Sequence, residues 1–346
     1  MSLGTRVLGA PGRDNLLRVT VNAGTREHRL QFDCGDGCLH ALSRSELKQT
    51  RALFLSHLHM DHIGGFDGLF RNLFDREGPA MAVYGPPGTA DILHHRFRGF
   101  WWNQAHGLPG EWHVHDVHAR ELRAWRFRTA DAYASREPLP TRIHDGRVVV
   151  SEDFTVRAIA LSHGGTSLGY RVDEAVRVNV APGALARLGR APGPWLGAWK
   201  ARVGVGPDGT PTRTDTRDDV EGREIDAGLR AGLFEAAPRD ACAYLTDFLL
   251  DGPTHARLVP WLAGVGTLVC ESQYAPADTA LATRNSHATI DAVARLARDA
   301  GVGRLVPFHL SERYETSEWE AMLAAARAIF PGTAWPAGWD RALAAR

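Results

Sequence analysis

The sequence predicts an α/β protein in which two β-sheets are flanked by helices. Strand-type segments cluster in the first half of the chain, and strand–helix units recur only in the second half. A doubly wound parallel sheet would alternate strands and helices throughout, so the pattern favours two sheets. The 346 residues are 44% apolar and 23% charged, which is enough apolar material for one large core. We therefore predict a single domain over residues 1–346.

The first half of the chain contains four strand signals and one helix signal. Alternating or continuous apolar residues with glycine stops predict strands at RVTVN, HRLQFDCG, RALFLS and MAVYG. The segment FDGLFRNLF has helical spacing of its apolar residues. Residues 90–145 are less regular and rich in His, Trp and Arg, so we interpret them as an insertion.

The chain after residue 146 contains further strands and three helices. Strands are predicted in RVVVSEDFTVRAIALSH, SLGYRVDE, ACAYLTD, GTLVCES and RLVPFHLS. Helices are predicted at HARLVPWLAGV, at HATIDAVARLARDAG with Gly301 as its stop, and at SEWEAMLAAARAIF with a capping box of Ser317 and Glu320. Residues 175–225 are rich in Gly, Pro and Arg and have weak periodicity.

Charge and composition exclude several functional classes. The formal net charge is zero, so any nucleic-acid contact must come from local basic patches. The sequence has no run of 18 apolar residues, which argues against a membrane span, and its N-terminus does not resemble a secretory signal. The four cysteines form no CxxC pair, and this spacing predicts a reduced, cytoplasmic setting.

The stretch SHLHMDHIGG concentrates four candidate metal ligands, His57, His59, Asp61 and His62, in six positions. Two histidines two residues apart at a strand end can project to the same side. Asp61 and His62 lie one turn further on, where the chain enters a helix. The whole segment cannot easily chelate one ion, so we predict two metal ions about 3.5 to 4 Å apart.

Three further candidate ligands lie at the ends of predicted strands: His163, Asp247 and His309. A carboxylate that bridges two ions is expected, and Asp247 has a suitable position. Asp240 and Asp251 are close by in sequence, and either remains an alternative bridge. All the candidate ligands offer N or O atoms without a thiolate, which favours hydrolysis over a structural or electron-transfer site.

The motif HLHMDH resembles the HxHxDH signature of the metallo-β-lactamase fold. Further segments resemble the ribonuclease Z family in the expected order, from about residue 8 to residue 314. They are FDCGDG, SHGGTSLGYRVDE, AYLTD with LVCESQY, NSHATIDAVARLARDAGV and PFHLSERY. This ordered set is far more specific than the histidine motif alone.

The resemblance implies a four-layer αββα sandwich, usually a homodimer, that removes 3′ trailers from precursor tRNA with metal-activated water. It implies two zinc ions, although other divalent metals such as Mn²⁺ would also suit these ligands. His57, His59 and His163 would hold one ion. Asp61, His62 and His309 would hold the other, with Asp247 as the bridge. His287 would lie near the scissile phosphate.

Two residues, Asp61 and His287, have candidate roles in proton transfer, and a further carboxylate would orient a histidine. Asp61 could orient the attacking water or accept its proton, as well as bind metal. His287 could hydrogen-bond the phosphate or protonate the leaving oxygen. Either Glu271 or Asp299 could orient a catalytic histidine from behind, and the sequence leaves both open.

Two segments combine basic and aromatic residues. LARLGRAPGPWLGAWK resembles the part of the family associated with a protruding arm that grips tRNA. Here Arg187, Arg190 and Lys200 interleave with tryptophans, and we expect an arm over about residues 178–225. FRGFWWNQAH is a second such patch, which could be a substrate-facing wall or a dimer contact.

The chain departs from the family pattern at three positions. The family usually has Gly or Ser at the position of Met60, Thr at that of Phe248 and Ser at that of Ala288. Met60, Phe248, the zero net charge and the insertion at 90–145 leave room for an alternative function, a small-molecule hydrolase of the same fold: a phosphodiesterase, a lactonase or a sulfatase. A non-catalytic binding module is a third possibility, but the complete ligand set argues against it.

Overall fold

The computed structural model describes residues 3–23, 26–175, 178–187, 189, 191–193, 195–196, 204–205, 211–212, 234–236 and 239–344. The chain divides into two compact units. The larger unit contains residues 1–173 and 240–346, and the smaller unit contains residues 174–239.

The strands of both units are numbered in chain order. They are β1 Leu3–Gly9, β2 Asn15–Ala23, β3 Arg26–Phe32, β4 Thr50–Phe54, β5 Met81–Gly85, β6 Glu111–Val117, β7 Glu121–Arg128, β8 Glu137–Ile143, β9 Arg147–Val150, β10 Phe154–Ser162, β11 Thr166–Glu174, β12 Val178–Val180, β13 Gly204–Val205, β14 Pro211–Thr212, β15 Phe234–Ala236, β16 Ala241–Leu245, β17 Thr267–Glu271 and β18 Arg304–Phe308.

The α-helices are numbered in the same way. They are α1 Arg44–Lys48, α2 Met60–Ile63, α3 Phe66–Leu73, α4 Thr89–Phe97, α5 Ala184–Arg187, α6 Gly252–Leu262, α7 Thr279–Arg284, α8 Ile290–Ala300, α9 Thr316–Ile329 and α10 Trp339–Ala344. Short 3₁₀ turns occupy Cys38–Ala41, Thr129–Asp131 and Pro276–Asp278. Among the described residues, no helix is long and apolar enough to span a membrane.

Two large sheets form the larger unit. One has eight strands in the order β1 to β8, with parallel pairing from β3 to β6 and antiparallel pairing at both ends. The other has six strands in the order β18-β17-β16-β11-β10-β9. Strands β16, β17 and β18 are parallel, so their carboxyl ends meet at one edge.

The alternation of side chains along β4 shows how the layers pack. Phe54 lies in the core shared by the two sheets, whereas Leu53 lies in a second core under α3 and α4. The other face of the six-stranded sheet is covered by α6, α8 and α9, whose buried residues belong to the first core. The predicted four-layer αββα sandwich is therefore confirmed.

The smaller unit contains two short antiparallel pairs, β12 with β15 and β13 with β14. Ala184 on α5 is buried and packs with apolar neighbours that include Trp195 and Phe234. The predicted arm at 178–225 falls within this unit, and much of it lies outside the described residues. The arm therefore stays a prediction.

Two local expectations were wrong. Residues 90–145 are not irregular, because they contain β6, β7 and β8, which extend the eight-stranded sheet. Polar residues alternate there with buried ones such as Trp112 and Val114, which is the pattern of a strand with one buried face; the many His, Trp and Arg residues led us to overlook it. Whether the segment is an insertion stays a prediction. Helix α9 is preceded by Glu315, whose amide donates to the Glu318 carboxylate (2.8 Å), so the cap precedes the predicted Ser317 box.

Candidate active site

The seven candidate metal ligands converge at one edge of the two sheets. His57 and His59 follow β4, while Asp61 and His62 lie on α2. The other three follow strands β10, β16 and β18 directly or within two residues. Their ligand atoms form two groups in which all atoms lie within 4.8 Å of one another, namely His57, His59 and His163, and Asp61, His62, Asp247 and His309.

Asp247 stands between the two groups, with one carboxylate oxygen toward each. Its Oδ2 lies 3.6 Å from Nε2 of His57 and 3.6 Å from Nε2 of His163. Its Oδ1 lies 3.4 Å from Nε2 of His62 and 3.5 Å from Nε2 of His309. A carboxylate in this position can bridge two cations.

The two alternative bridges point elsewhere. Asp240 lies at the opposite end of β16, where its carboxylate accepts a hydrogen bond from the Ala241 amide (2.8 Å). Asp251 caps α6 by accepting from the Thr254 amide (2.8 Å). The structure therefore brings Asp247, and neither of these two residues, to the cluster.

The donor set fits metal ions on chemical grounds. The Nε2 atom of His57 is buried and has no hydrogen-bond partner among the described residues. A buried imidazole nitrogen without a partner is costly unless a ligand uses its lone pair. Burial and the neighbouring His62 also lower the pKa of His57 to about 3, so His57 is neutral and its lone pair is available.

The second group combines carboxylates and imidazoles that stabilise each other's charged forms. Burial disfavours the imidazolium form, but the Asp247 and Asp33 carboxylates raise the pKa of His62 well above its ordinary value. Asp247 likewise raises the pKa of His309 against the effect of burial. Burial favours the protonated acid at Asp247, yet His309 and His62 hold its pKa well below the usual range.

Acid should weaken metal binding at this site. A metal ion must displace protons from His62 and His309, and the raised pKa values of these two imidazoles strengthen the competition between protons and the metal ion. We expect zinc affinity, measured by competition with a chromophoric chelator, to fall ~10-fold per pH unit for each displaced proton. An affinity that stays constant from about pH 8 to about pH 6 would contradict this coupling.

Asp33 is a functional residue that the sequence did not single out. It follows β3, is fully buried, and accepts a hydrogen bond from His62 Nδ1 (2.7 Å). It also accepts from the amide and hydroxyl of Ser56 (2.6 and 2.7 Å) and from the Tyr244 hydroxyl (2.9 Å). Asp33 therefore fixes the ring of His62 so that Nε2 faces Asp61 and Asp247. The available signal was an aspartate directly after a buried strand, in FDCGDG.

Replacing Asp33 with asparagine should loosen His62 while preserving the shape of the side chain. Loss of a carboxylate behind a metal-binding histidine typically lowers metal affinity ~10- to 100-fold. We expect zinc titrations of the D33N variant to show this loss of affinity. The fold of the variant should stay close to that of the wild type. Asp36→Asn, a nearby exposed substitution, is the control. Equal zinc affinity in D33N and wild type would remove the role assigned to Asp33.

Backbone conformations with positive φ concentrate at the site. Four of the six such non-glycine residues among the described residues are Asp33, Asp247, Ser286 and His309, with φ between 49° and 58°. Such conformations cost energy and persist where surrounding contacts enforce them. At Ser286 the turn directs the carbonyl toward Nδ1 of His163 (2.9 Å), which orients that ring.

His287 lies beside the ligands and is held by Glu271. The Nδ1 atom of His287 is 2.8 Å from Oε2 of the fully buried Glu271, whose Oε1 accepts from the Phe248 amide (2.7 Å). A ring nitrogen of His287 also falls within 4.8 Å of ligand atoms of His163 and Asp247. Asp299, the alternative partner, instead pairs with His255 at the surface (3.1 Å).

Of the three predicted substrate-arm residues, Arg187 is among the described residues. Arg187 ends α5 and is exposed, and its guanidinium donates to the Pro182 carbonyl (3.4 Å). Arg190 and Lys200 lie outside the described residues. Met60 is 83% exposed next to the ligands, whereas Phe248 is fully buried. Of Met60 and Phe248, which both depart from the family pattern, only the exposed Met60 can contact a substrate.

Comparison with known proteins gives the family. A family model described as Anti-Pycsar protein Apyc1 matches residues 18–130, which is less than half of the chain. A ribonuclease Z of Deinococcus radiodurans is 44% identical over 342 residues, covering 98% of this chain and 99% of that protein. The chain belongs to the ribonuclease Z family. A second ribonuclease Z, from Synechococcus sp. strain WH7803, is 31% identical over 94% of this chain and 90% of its own length.

Membership of the ribonuclease Z family confirms the resemblance predicted from the motifs, and with it a hydrolase of the metallo-β-lactamase fold. A solved structure supports the fold separately. The metallo-β-lactamase fold protein YhfI from Bacillus subtilis matches 97% of this chain and 96% of its own, with a TM-score of 0.54 and 14% sequence identity. The His and Asp clusters described above are consistent with the use of metal ions in this family.

Proposed function

We propose that this protein is an endoribonuclease that removes 3′ trailers from precursor tRNA with the help of two zinc ions. The observation that carries the proposal is the shared carboxylate of Asp247, which faces two separate histidine groups within a chain of ribonuclease Z length and sequence. The names of the relatives supply the RNA substrate, and the site supplies a chemistry that suits a phosphodiester.

The two ions would be held by residues already close enough to share them. His57, His59 and His163 would bind one ion, Asp61, His62 and His309 the other, and Asp247 both. Zinc ions bound here would supply Lewis-acid stabilisation of the phosphoryl oxygens and a hydroxide nucleophile near neutral pH. An all-N/O donor set also accommodates Mn²⁺, so the identity of the metal is part of the proposal.

Asp61 would orient the attacking water. Burial favours its protonated form, but hydrogen bonds from His309 and His62 hold its pKa below the ordinary range. Its Oδ2 lies 3.2 Å from His62 Nε2 and 3.4 Å from His309 Nε2, and 45% of the side chain is exposed. An ionised and accessible carboxylate can accept a hydrogen bond from water and so direct its lone pair at phosphorus.

His287 would protonate the leaving oxygen. Its Nδ1 is held by the Glu271 carboxylate, which leaves the other ring nitrogen to face the site. Cleavage of an RNA chain releases a ribose hydroxyl, which is a poor leaving group unless it receives a proton as the bond breaks. Because Glu271 also accepts from the amide next to Asp247, the position of the acid is tied to the metal-bridging loop.

The alternative hydrolase is favoured by one observation. Met60 is 83% exposed and adjoins the candidate ligands in the chain, so it presents a large apolar side chain where the family usually has Gly or Ser. A small ester would tolerate this more easily than a folded RNA.

One experiment distinguishes the two functions. The zinc-loaded protein is incubated with a precursor tRNA that carries a 3′ trailer and, in parallel, with a bis-aryl phosphate and a lactone. Trimming of the precursor at a single position supports the proposal. Hydrolysis of the small esters without trimming would defeat it and favour the alternative.

We also propose that residues 178–225 form an arm that binds tRNA, that the protein is a homodimer, and that it is located in the cytoplasm. The four cysteines are free and buried, as expected of a protein that functions without disulfides.

Replacing Arg187, Arg190 and Lys200 together with glutamine should weaken precursor tRNA binding. Loss of three phosphate contacts should lower the slope of log affinity against log salt by about 2 to 3. We expect hydrolysis of the bis-aryl phosphate to stay unchanged, and filter-binding titrations at several salt concentrations test this. If small-ester hydrolysis falls by the same factor, these residues do not form a substrate arm.

A further inference from the structure

An exposed aromatic surface lies along helix α3, the helix that follows the candidate ligands in the chain, and has no role in the proposed chemistry. Trp101 is 88% exposed and Phe100 is 48% exposed, on the loop after α4. They adjoin a groove of about 530 Å³ lined by Phe70, Phe74, Phe100 and Trp102, with Asp67, Gly68 and Arg71 at its rim. We call the groove and Trp101 together the aromatic surface.

The groove is fixed in place, whereas Trp101 is left free. The ring of Phe70 lies 5.9 Å from that of Phe100 and 5.8 Å from that of Trp102, and the indole N–H of Trp102 donates to the Phe97 carbonyl (2.7 Å). The structure gives Trp101 no hydrogen bond or ring contact with any described residue. A large aromatic ring in water beside a rigid apolar groove marks a binding surface.

The charges around this surface indicate an anionic partner. Arg96 pairs with Asp67 (3.1 Å), but the exposed guanidinium groups of Arg71 and Arg98 have no ion pair with a carboxylate of the described residues. Exposed aromatic rings combined with unpaired arginines are typical of surfaces that bind single-stranded nucleic acid, through base stacking and phosphate contacts.

The position of the surface suits RNA that leaves the active site. Helix α3 carries the groove residues Phe70 and Arg71 and begins at Phe66, four residues after the candidate ligand His62. At 1.5 Å rise per residue, Arg71 lies only about 8 Å along the axis from the start of α3. Stacking requires unpaired bases, and the unpaired part of a precursor tRNA next to the cleavage position is its trailer.

We propose that the aromatic surface binds the single-stranded 3′ trailer, with bases stacked on Trp101 and Phe100 and phosphates at Arg71 and Arg98. The proposal rests on the proposed function, because it names a second contact for the same substrate. Stacking on an aromatic ring accepts every base, which suits a segment of variable sequence.

The test compares two precursors that differ only in the trailer, one long and unstructured and one minimal. We expect W101A to raise KM about 10-fold for the long trailer and to leave the minimal-trailer precursor and the bis-aryl phosphate unchanged. Arg71→Gln and Arg98→Gln should each lower the salt slope for a fluorescent single-stranded oligonucleotide, measured by anisotropy, by ~0.7. Ile143→Ala, which truncates another exposed apolar residue (79%), should change nothing.

Each contrary result is informative. Equal losses on both precursors would overturn the proposal, because the surface would then contact the tRNA body. Unchanged RNA affinity together with a smaller mass of W101A in solution would also overturn it, since the surface would then join two copies of the chain. If the wild-type protein trims neither precursor, the proposed function fails. The anisotropy titration then decides the inference, which is overturned if W101A binds the oligonucleotide as wild type does.

Discussion

Replacing Asp247 with alanine should abolish hydrolysis and reduce metal binding together. Both oxygens of this carboxylate face imidazoles, two on each side, at 3.4 to 3.6 Å, so both ions would lose a ligand at once. Metal ions at such a site contribute several kcal/mol to transition-state stabilisation, so kcat/KM should fall by ~10³-fold or more. Metal analysis of the purified variant and a bis-aryl phosphate assay measure the two effects.

Asp251→Ala is the matched control for this variant. Asp251 lies four residues further along the chain and caps α6 through the Thr254 amide, away from the cluster. Its loss should cost about 1 kcal/mol of unfolding free energy and leave hydrolysis unchanged. An Asp247→Ala protein that still binds two ions per chain would show that the bridge lies elsewhere.

Replacing His287 with alanine should lower kcat on RNA by ~10²- to 10⁴-fold while leaving the metal content unchanged. The reason is its proposed role as the acid that protonates the leaving ribose oxygen. An ester with a nitrophenolate leaving group needs no such proton, so its hydrolysis should fall much less. Glu271→Gln should give an intermediate loss of kcat on RNA and a smaller loss on the nitrophenyl ester, because Glu271 acts through His287.

The control for His287 is His255→Ala. That imidazole also pairs with a carboxylate, Asp299, but it lies at the surface on α6. No change is expected in either assay. If His287→Ala instead loses metal, or if RNA and nitrophenyl ester suffer equally, then His287 is a ligand or a structural residue, not an acid.

The sequence by itself was sufficient to predict features that depend on residues adjacent in the chain. Four candidate ligands in six positions predicted a cluster of metal-binding side chains, and the structure brings these residues together, because their spacing along the chain limits their distance in space. That the cluster holds two metal ions stays a prediction. The helix stop at Gly301 was confirmed for the same reason, since its left-handed backbone (φ 64°) is a local property. The hydrolase class and the fold followed from these motifs in their order.

Only the tertiary structure shows which residues from different strand ends meet at the candidate site. The sequence favoured Asp247 as the bridge and left Asp240 and Asp251 open. In the structure only Asp247 lies within two residues of the carboxyl end of β16, close to the histidines that follow β4 and β18. Likewise, Glu271 and not Asp299 meets His287, because β17 ends beside the Ser286 turn. Asp33 reaches His62 across 29 positions of the chain. Contacts between residues far apart in sequence depend on strand order and side-chain direction, which local patterns do not encode.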